Sequence, residues 1–204
     1  LTSCYSQATC TPTRSAILTG RLPFRTGLTR PILAGDKITK NPWDDEISLP
    51  KLLGDAGYWT VLSGKWHVGE AEGMRPHDVG FDEFYGYYGA QKEITQHVYK
   101  ERYPDLVLNP ERLEMLNKTG ASVALVHGFK GGKTTEVQQV DSLEKMAEGD
   151  RLLKEFSVAK IKELAEDPKP FFLEHAFMKV HADNFASKAF EGKSASKYPY
   201  KDAV

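Results

Sequence analysis

Leu49-Pro50-Lys51-Leu52-Leu53-Gly54-Asp55-Ala56-Gly57-Tyr58-Trp59-Thr60-Val61-Leu62-Ser63-Gly64-Lys65-Trp66-His67 is the stretch that decides the fold class. Leu49 to Ala56 reads as a short amphipathic helix that Gly57 ends. Tyr58 to Leu62 is aromatic and β-branched, which suits a buried strand, and Ser63-Gly64 is expected to break it. The same unit recurs downstream. Ser142 to Ala165 reads as a helix, Asp167-Pro168-Lys169 as a break, and the apolar run from Pro170 to Phe177 as a second buried strand. Helices alternating with apolar strands predict an α/β fold: a mostly parallel sheet with helices on both faces. In such sheets ligands sit beyond the carboxyl ends of the strands. Lys65 and His67 fall at such an end, and an extended chain turns residues two apart to one side. A cation with an imidazole there suits an anionic ester. In isolation, Lys-x-His is more often a surface lysine beside a core histidine.

A second stretch, Cys10-Thr11-Pro12-Thr13-Arg14-Ser15-Ala16-Ile17-Leu18-Thr19-Gly20-Arg21, aims chemistry at one point. Residues 12–18 read as a helix, with proline in its first turn and Gly20 just past its end. Cys10 is then expected just ahead of the helix start, where unpaired N–H groups and the positive dipole end favour an anion. Arg14 lies four residues on, on the same helix face. A nucleophile position, a ring of donors and a guanidinium make a cradle for a tetrahedral oxyanion. By itself Cys-x-Pro-x-Arg also suits a buried thiol, or a disulfide between Cys10 and Cys4.

Taken in this order, Cys10-x-Pro12-x-Arg14 closed by Leu18-Thr19-Gly20-Arg21, and Gly64-Lys65-Trp66-His67 after a strand, resemble the two signatures of the sulfatase family. Pro170-Phe171-Phe172-Leu173 followed by His181 resembles a third. The Gly80-Phe81-Asp82-Glu83-Phe84-Tyr85-Gly86 stretch, whose aromatics are expected to pack, resembles a fourth. His175 competes with His181, but it lies within the strand and reads as a hydrogen-bonded core histidine. The resemblance implies an alkaline-phosphatase-like fold and a sulfuric ester hydrolase. It implies that Cys10 is oxidised by a formylglycine-generating maturation enzyme to formylglycine, whose hydrate attacks the ester. A divalent cation, Ca2+ or Mg2+, would bind residue 10 in that form. Arg14 would hold the hydrate, Lys65 would contact sulfate, His67 would take a proton during sulfate release, and His181 would donate to the leaving oxygen. Lys65 and His181 are also the expected substrate contacts. The substrate is expected to be a small-molecule or carbohydrate sulfate ester. A phosphate or phosphonate ester hydrolase on the same scaffold is the alternative, as is an inert homologue that keeps Cys10 as a thiol.

The rest of the chain bounds this reading. With 204 residues, 40% hydrophobic and 27% charged, it has ordinary globular usage and length for one sizeable domain. A net charge of −1 argues against a general nucleic-acid or anionic-membrane binder. No apolar run approaches the ~18 residues of a spanning helix. No leader is legible, so a periplasmic, secreted or lysosomal setting rests on family analogy alone. The family's Asp-Asp strand and its Asp-Asn ligands have no counterpart here. Residues 1–204 are therefore expected to be the central part of a sulfatase catalytic domain, incomplete at both ends. Asp44-Asp45 is expected to cap the helix near Leu49, and Asp183-Asn184 to belong to the pocket edge or a turn. His77 and His97 read as surface or structural. Residues 87–103 read as an insertion that lines the pocket, and Ala121 to Val126 as a short strand before a loop with Gly128, Gly131 and Gly132. Asn117-Lys118-Thr119 fits a glycosylation acceptor. Phe185 to Tyr200 reads as a solvated loop.

Overall fold

The computed structural model describes residues 2–33, 36, 38–89, 124–181, 185–196 and 198–203. His97, Asn117-Lys118-Thr119, Asp183-Asn184, residues 121–123 and most of the 87–103 stretch lie outside them. The elements are α1 (Cys10–Thr19), α2 (Pro23–Thr26), α3 (Leu49–Asp55), β1 (Trp59–Lys65), α4 (Pro76–Val79), β2 (Glu83–Tyr87), β3 (Ala124–Phe129), β4 (Thr135–Gln139), α5 (Leu143–Ala165), β5 (Phe171–Ala176) and α6 (Pro199–Ala203). The five strands form one sheet in the order β4-β3-β2-β1-β5. β1 pairs in parallel with β2 and β5, β3 runs antiparallel to β2, and β4 antiparallel to β3. Four of the five strands thus point the same way, and the expected α/β architecture holds.

Period-two alternation assigns each strand residue to a face. Leu62, Phe84, Ala124 and Val126 pack into one cluster with Leu18 of α1, Trp43 and Trp66. Tyr87 and Leu125 pack on the other side with Leu153 of α5. Both faces are covered, which is why β1 is buried continuously from Thr60 to Lys65 rather than at alternate residues. Fully burying a side chain such as Leu62, Phe84 or Leu153 stabilises by about 1.5–3 kcal/mol. The expected aromatic packing also holds: Phe81 and Phe84 are fully buried, and Phe81 meets Trp66 edge-on.

Several local expectations need correcting. α1 begins at Cys10, two residues early, with Thr9 as its N-cap and Gly20 in left-handed conformation past its end. Pro12 is still within the first turn, where no intrahelical acceptor is lost. Cys10 is therefore the first helical residue. Ser63-Gly64 does not break β1, which runs to Lys65 because Ser63 pairs with Tyr85 and His175, and Gly64 with Gly86 and Ala176. Gly64 is required there. Its φ is +120°, and a Cβ would lie 1.9 Å from the Ala176 carbonyl oxygen. Gly128 lies in β3, not in the loop. Asp44-Asp45 does not cap α3: Ser48 does, accepting from the Lys51 amide, while Asp45 pairs with Lys40. Tyr87 is core rather than pocket lining. His77 is buried and structural, 3.8 Å from Asp78. The helix to Ala165, the strand after Pro170 and the mostly exposed turns from residue 185 occur as expected.

Candidate active site

A cleft of about 670 Å³ opens where α1 meets the carboxyl ends of β1 and β5. Cys10, Thr13, Arg14 and Ile17 form one wall, and their spacing is a single stripe of α1. His67, Glu174, Ala176 and His181 line it from the strand side. Four of the five expected site residues, Cys10, Arg14, His67 and His181, thus share one cavity. Thr9 makes no side-chain cap, so no side chain of the capping residue takes up the first-turn amides of α1. An uncapped helix start beside a guanidinium favours an anion. Cys10 is half-buried and Cys4 exposed, and both are free thiols, so the disulfide alternative does not hold.

Long-range hydrogen bonds set the geometry. The Arg14 guanidinium donates to the Lys65 carbonyl at 2.5 Å, tying α1 to the end of β1. Burial pulls the Arg14 pKa below its ordinary value, and the charge of Glu174 opposes that shift. The Thr11 hydroxyl donates to the His67 carbonyl at 2.6 Å and accepts from the Ile32 amide at 3.1 Å. The Ile32 carbonyl in turn lies 2.8 Å from His67 Nε2. A carbonyl only accepts, so Nε2 carries the proton and Nδ1 presents a lone pair. That Nδ1 is buried and has no partner among the described residues. Desolvation, then the Lys65 charge, and more weakly those of Arg14 and His181, lower the His67 pKa to about 3; the Ile32 bond opposes them. The ring is neutral near pH 7.

Lys65 departs from expectation. It does not line the cleft. It is 4% exposed at the end of β1, and its register with Tyr87 puts it on the α5 side. His67 has φ +55°, so the chain is not extended from Lys65 to His67, and the two-residue alternation stops there. Lys65 acts on the site through its charge on His67. His175 behaves as expected: it turns to the α5 face, where Nδ1 lies 2.7 Å from the Ser157 hydroxyl. Two site residues escape sequence reasoning. Thr11 sits inside the cysteine signature, but only its distant partners reveal its role. Glu174 carries a signal in hindsight, as the lone acid within an apolar strand.

Cys10 was the expected metal ligand. Among the described residues no three of His, Cys, Asp or Glu gather to hold an ion, and Glu174 is the cleft's one acidic side chain among them. The described residues by themselves do not make up a complete divalent-cation site. No helix among them is long and apolar enough to cross a membrane.

Comparison with known proteins agrees with this geometry. The sulfatase family model matches residues 1–203. The chain is 31% identical to N-acetylgalactosamine-6-sulfatase of Sus scrofa over 208 residues, covering 96% of this chain and 35% of that protein. It is 44% identical to arylsulfatase A of Bos taurus over 80 residues, 38% of this chain and 15% of that one. Among solved structures, PsFucS1 sulfatase from Pseudoalteromonas sp. superposes with a TM-score of 0.90 at 46% identity, covering all of this chain and 40% of that one. The chain thus spans well under half the length of these relatives, 35% of the Sus scrofa protein and 40% of PsFucS1. With the family model matching nearly its whole length, this chain belongs to the sulfatase family.

Proposed function

We propose that this chain carries the reacting centre of a sulfuric ester hydrolase that cleaves a sulfate monoester at residue 10. The observation that supports it best is the convergence of Cys10, Arg14, His67 and His181 on one cleft at the uncapped start of α1. Conversion of Cys10 to formylglycine would supply there a hydrated aldehyde, a hard-oxygen nucleophile that can be regenerated. Arg14, anchored on the Lys65 carbonyl, orients the group at residue 10 and offers its remaining N–H donors to the ester oxygens. The first-turn amides of α1 face the same charge. Lys65 adds positive potential at His67. His67 holds its Nε2 proton on the Ile32 carbonyl and keeps Nδ1 free to accept one. A bound anion offsets the cations that depress this imidazole, so its proton affinity rises when substrate arrives. His181, on the far wall, is the group to protonate the departing alcohol oxygen. A divalent cation, Ca2+ or Mg2+, would draw its remaining ligands from beyond the described residues.

The test is mass spectrometry of the peptide holding Cys10, paired with rates on matched aryl sulfate and aryl phosphate esters. An aldehyde or its hydrate, with the sulfate ester cleaved faster, is the expected result. A fully alkylatable thiol in protein that still desulfates normally overturns the proposal. Preference for the phosphate ester makes the protein a phosphoester hydrolase on the same scaffold.

A further inference from the structure

Glu174 has no task in the chemistry above. It sits in β5 opposite Leu62 of β1, so alternation turns it toward α1 and the cleft, while His175 turns toward α5. Burial pushes the Glu174 pKa up and the Arg14 charge opposes that shift, yet Glu174 makes no hydrogen bond or direct ion pair with a described residue. A largely buried carboxyl without donors is costly, and one that opens on a cleft takes its donors from whatever enters. The sulfate group is no such donor, because its oxygens only accept. That leaves the alcohol half of the ester. The α1 wall runs from Cys10 to Ile17, a span of about 10 Å at 1.5 Å per residue. The cleft therefore extends well past the reacting position.

We propose that Glu174 is a specificity-determining residue that accepts a hydrogen bond from a free hydroxyl beside the sulfated position, so that the site selects carbohydrate sulfates over simple aryl sulfates. The assignment rests on the sulfatase reading and names its substrate class. Arg14 joins the two halves of the site, since it shares the cleft with both residue 10 and Glu174.

The test uses the complete, matured protein with 4-nitrophenyl sulfate and the 2-, 3-, 4- and 6-sulfates of galactose. The parent is expected to prefer at least one sugar sulfate. Glu174→Gln should lose roughly 10- to 100-fold in kcat/KM on that ester and stay within about threefold on 4-nitrophenyl sulfate. Inhibition by inorganic sulfate should be no weaker in the variant. Glu174→Asp keeps the charge but retracts it by one methylene. It should lose on the sugar ester alone, and it keeps the question decidable if the glutamine variant does not fold. Equal losses on both esters would overturn the assignment and leave Glu174 as a support for Arg14. A parent that cleaves the aryl ester and none of the sugar sulfates would overturn it as well. A matured parent that cleaves neither ester refutes the sulfatase reading itself, a distinct failure.

Discussion

Thr11→Val isolates the joint on which the site's geometry turns. The hydroxyl is fully buried and bridges the His67 carbonyl and the Ile32 amide, at 2.6 and 3.1 Å. Valine keeps the shape and removes both bonds, leaving the buried His67 carbonyl without its donor and the part-buried Ile32 amide without its acceptor. Each stranded group costs about 1–3 kcal/mol. The two share one neighbourhood, so the costs do not simply add, and the expected loss is about 2–4 kcal/mol. With a urea dependence of about 2 kcal/mol per molar, the midpoint should fall by roughly 1–2 M. Tryptophan fluorescence is the assay, because Trp43 stacks on the buried Trp66 next to His67, with ring centroids 5.7 Å apart. Thr11→Ser is the control. It keeps the hydroxyl and should lose only about 1 kcal/mol for the missing methyl. Because the Ile32 carbonyl fixes the His67 tautomer, kcat should fall further in Thr11→Val than the folded fraction accounts for. A valine variant within about 0.5 kcal/mol of the parent, or a serine variant as unstable as the valine one, would refute the reasoning.

Gly64→Ala should destabilise by more than about 3 kcal/mol or leave the protein unfolded, because its Cβ meets backbone at 1.9 Å in a left-handed conformation; a melting temperature equal to the parent's would contradict this. Lys65→Ala should leave a weak enzyme, with kcat lower by ~10²–10³, and a rate within twofold of the parent would remove Lys65 from the charge-stabilising set. His67 makes stability depend on pH. Its folded pKa of about 3 lies below the ordinary value of 6.5, so between those values the unfolded chain binds the extra proton. The His67 contribution is complete above pH 6.5 and is lost as pH falls toward 3, with a slope of up to about 1.4 kcal/mol per pH unit. Urea titrations from pH 7 to 4 should be flatter for His67→Gln, and identical slopes would show that the imidazole is not held neutral.

Local pattern was enough for the helix–strand alternation. The apolar runs at Thr60 to Leu62 and Phe171 to Leu173 and the amphipathic helix up to Ala165 stand where their periods put them. The stripe of Cys10 and Arg14 was legible for the same reason, since helical spacing is a short-range property. Errors came where a neighbouring strand overrode local preference. Ser63-Gly64 reads as a break until β2 and β5 are beside it, and then glycine is what lets three backbones approach. His67 could not be oriented from sequence, because its backbone conformation and its tautomer depend on Thr11 and Ile32, 56 and 35 residues away.

The chain's order of residues sufficed to say that a thiol, a guanidinium and two imidazoles belong to one chemistry. That statement depends on spacing along single elements. Which of them face one another was settled only by folding. Tertiary contacts buried Lys65 at the end of β1 with its charge acting on His67, left His67 Nδ1 without a partner among the described residues, and turned Glu174 into the cleft. The physical reason is that burial, charge compensation and tautomer are set by groups that meet across the sheet, and a linear period carries no information about those meetings.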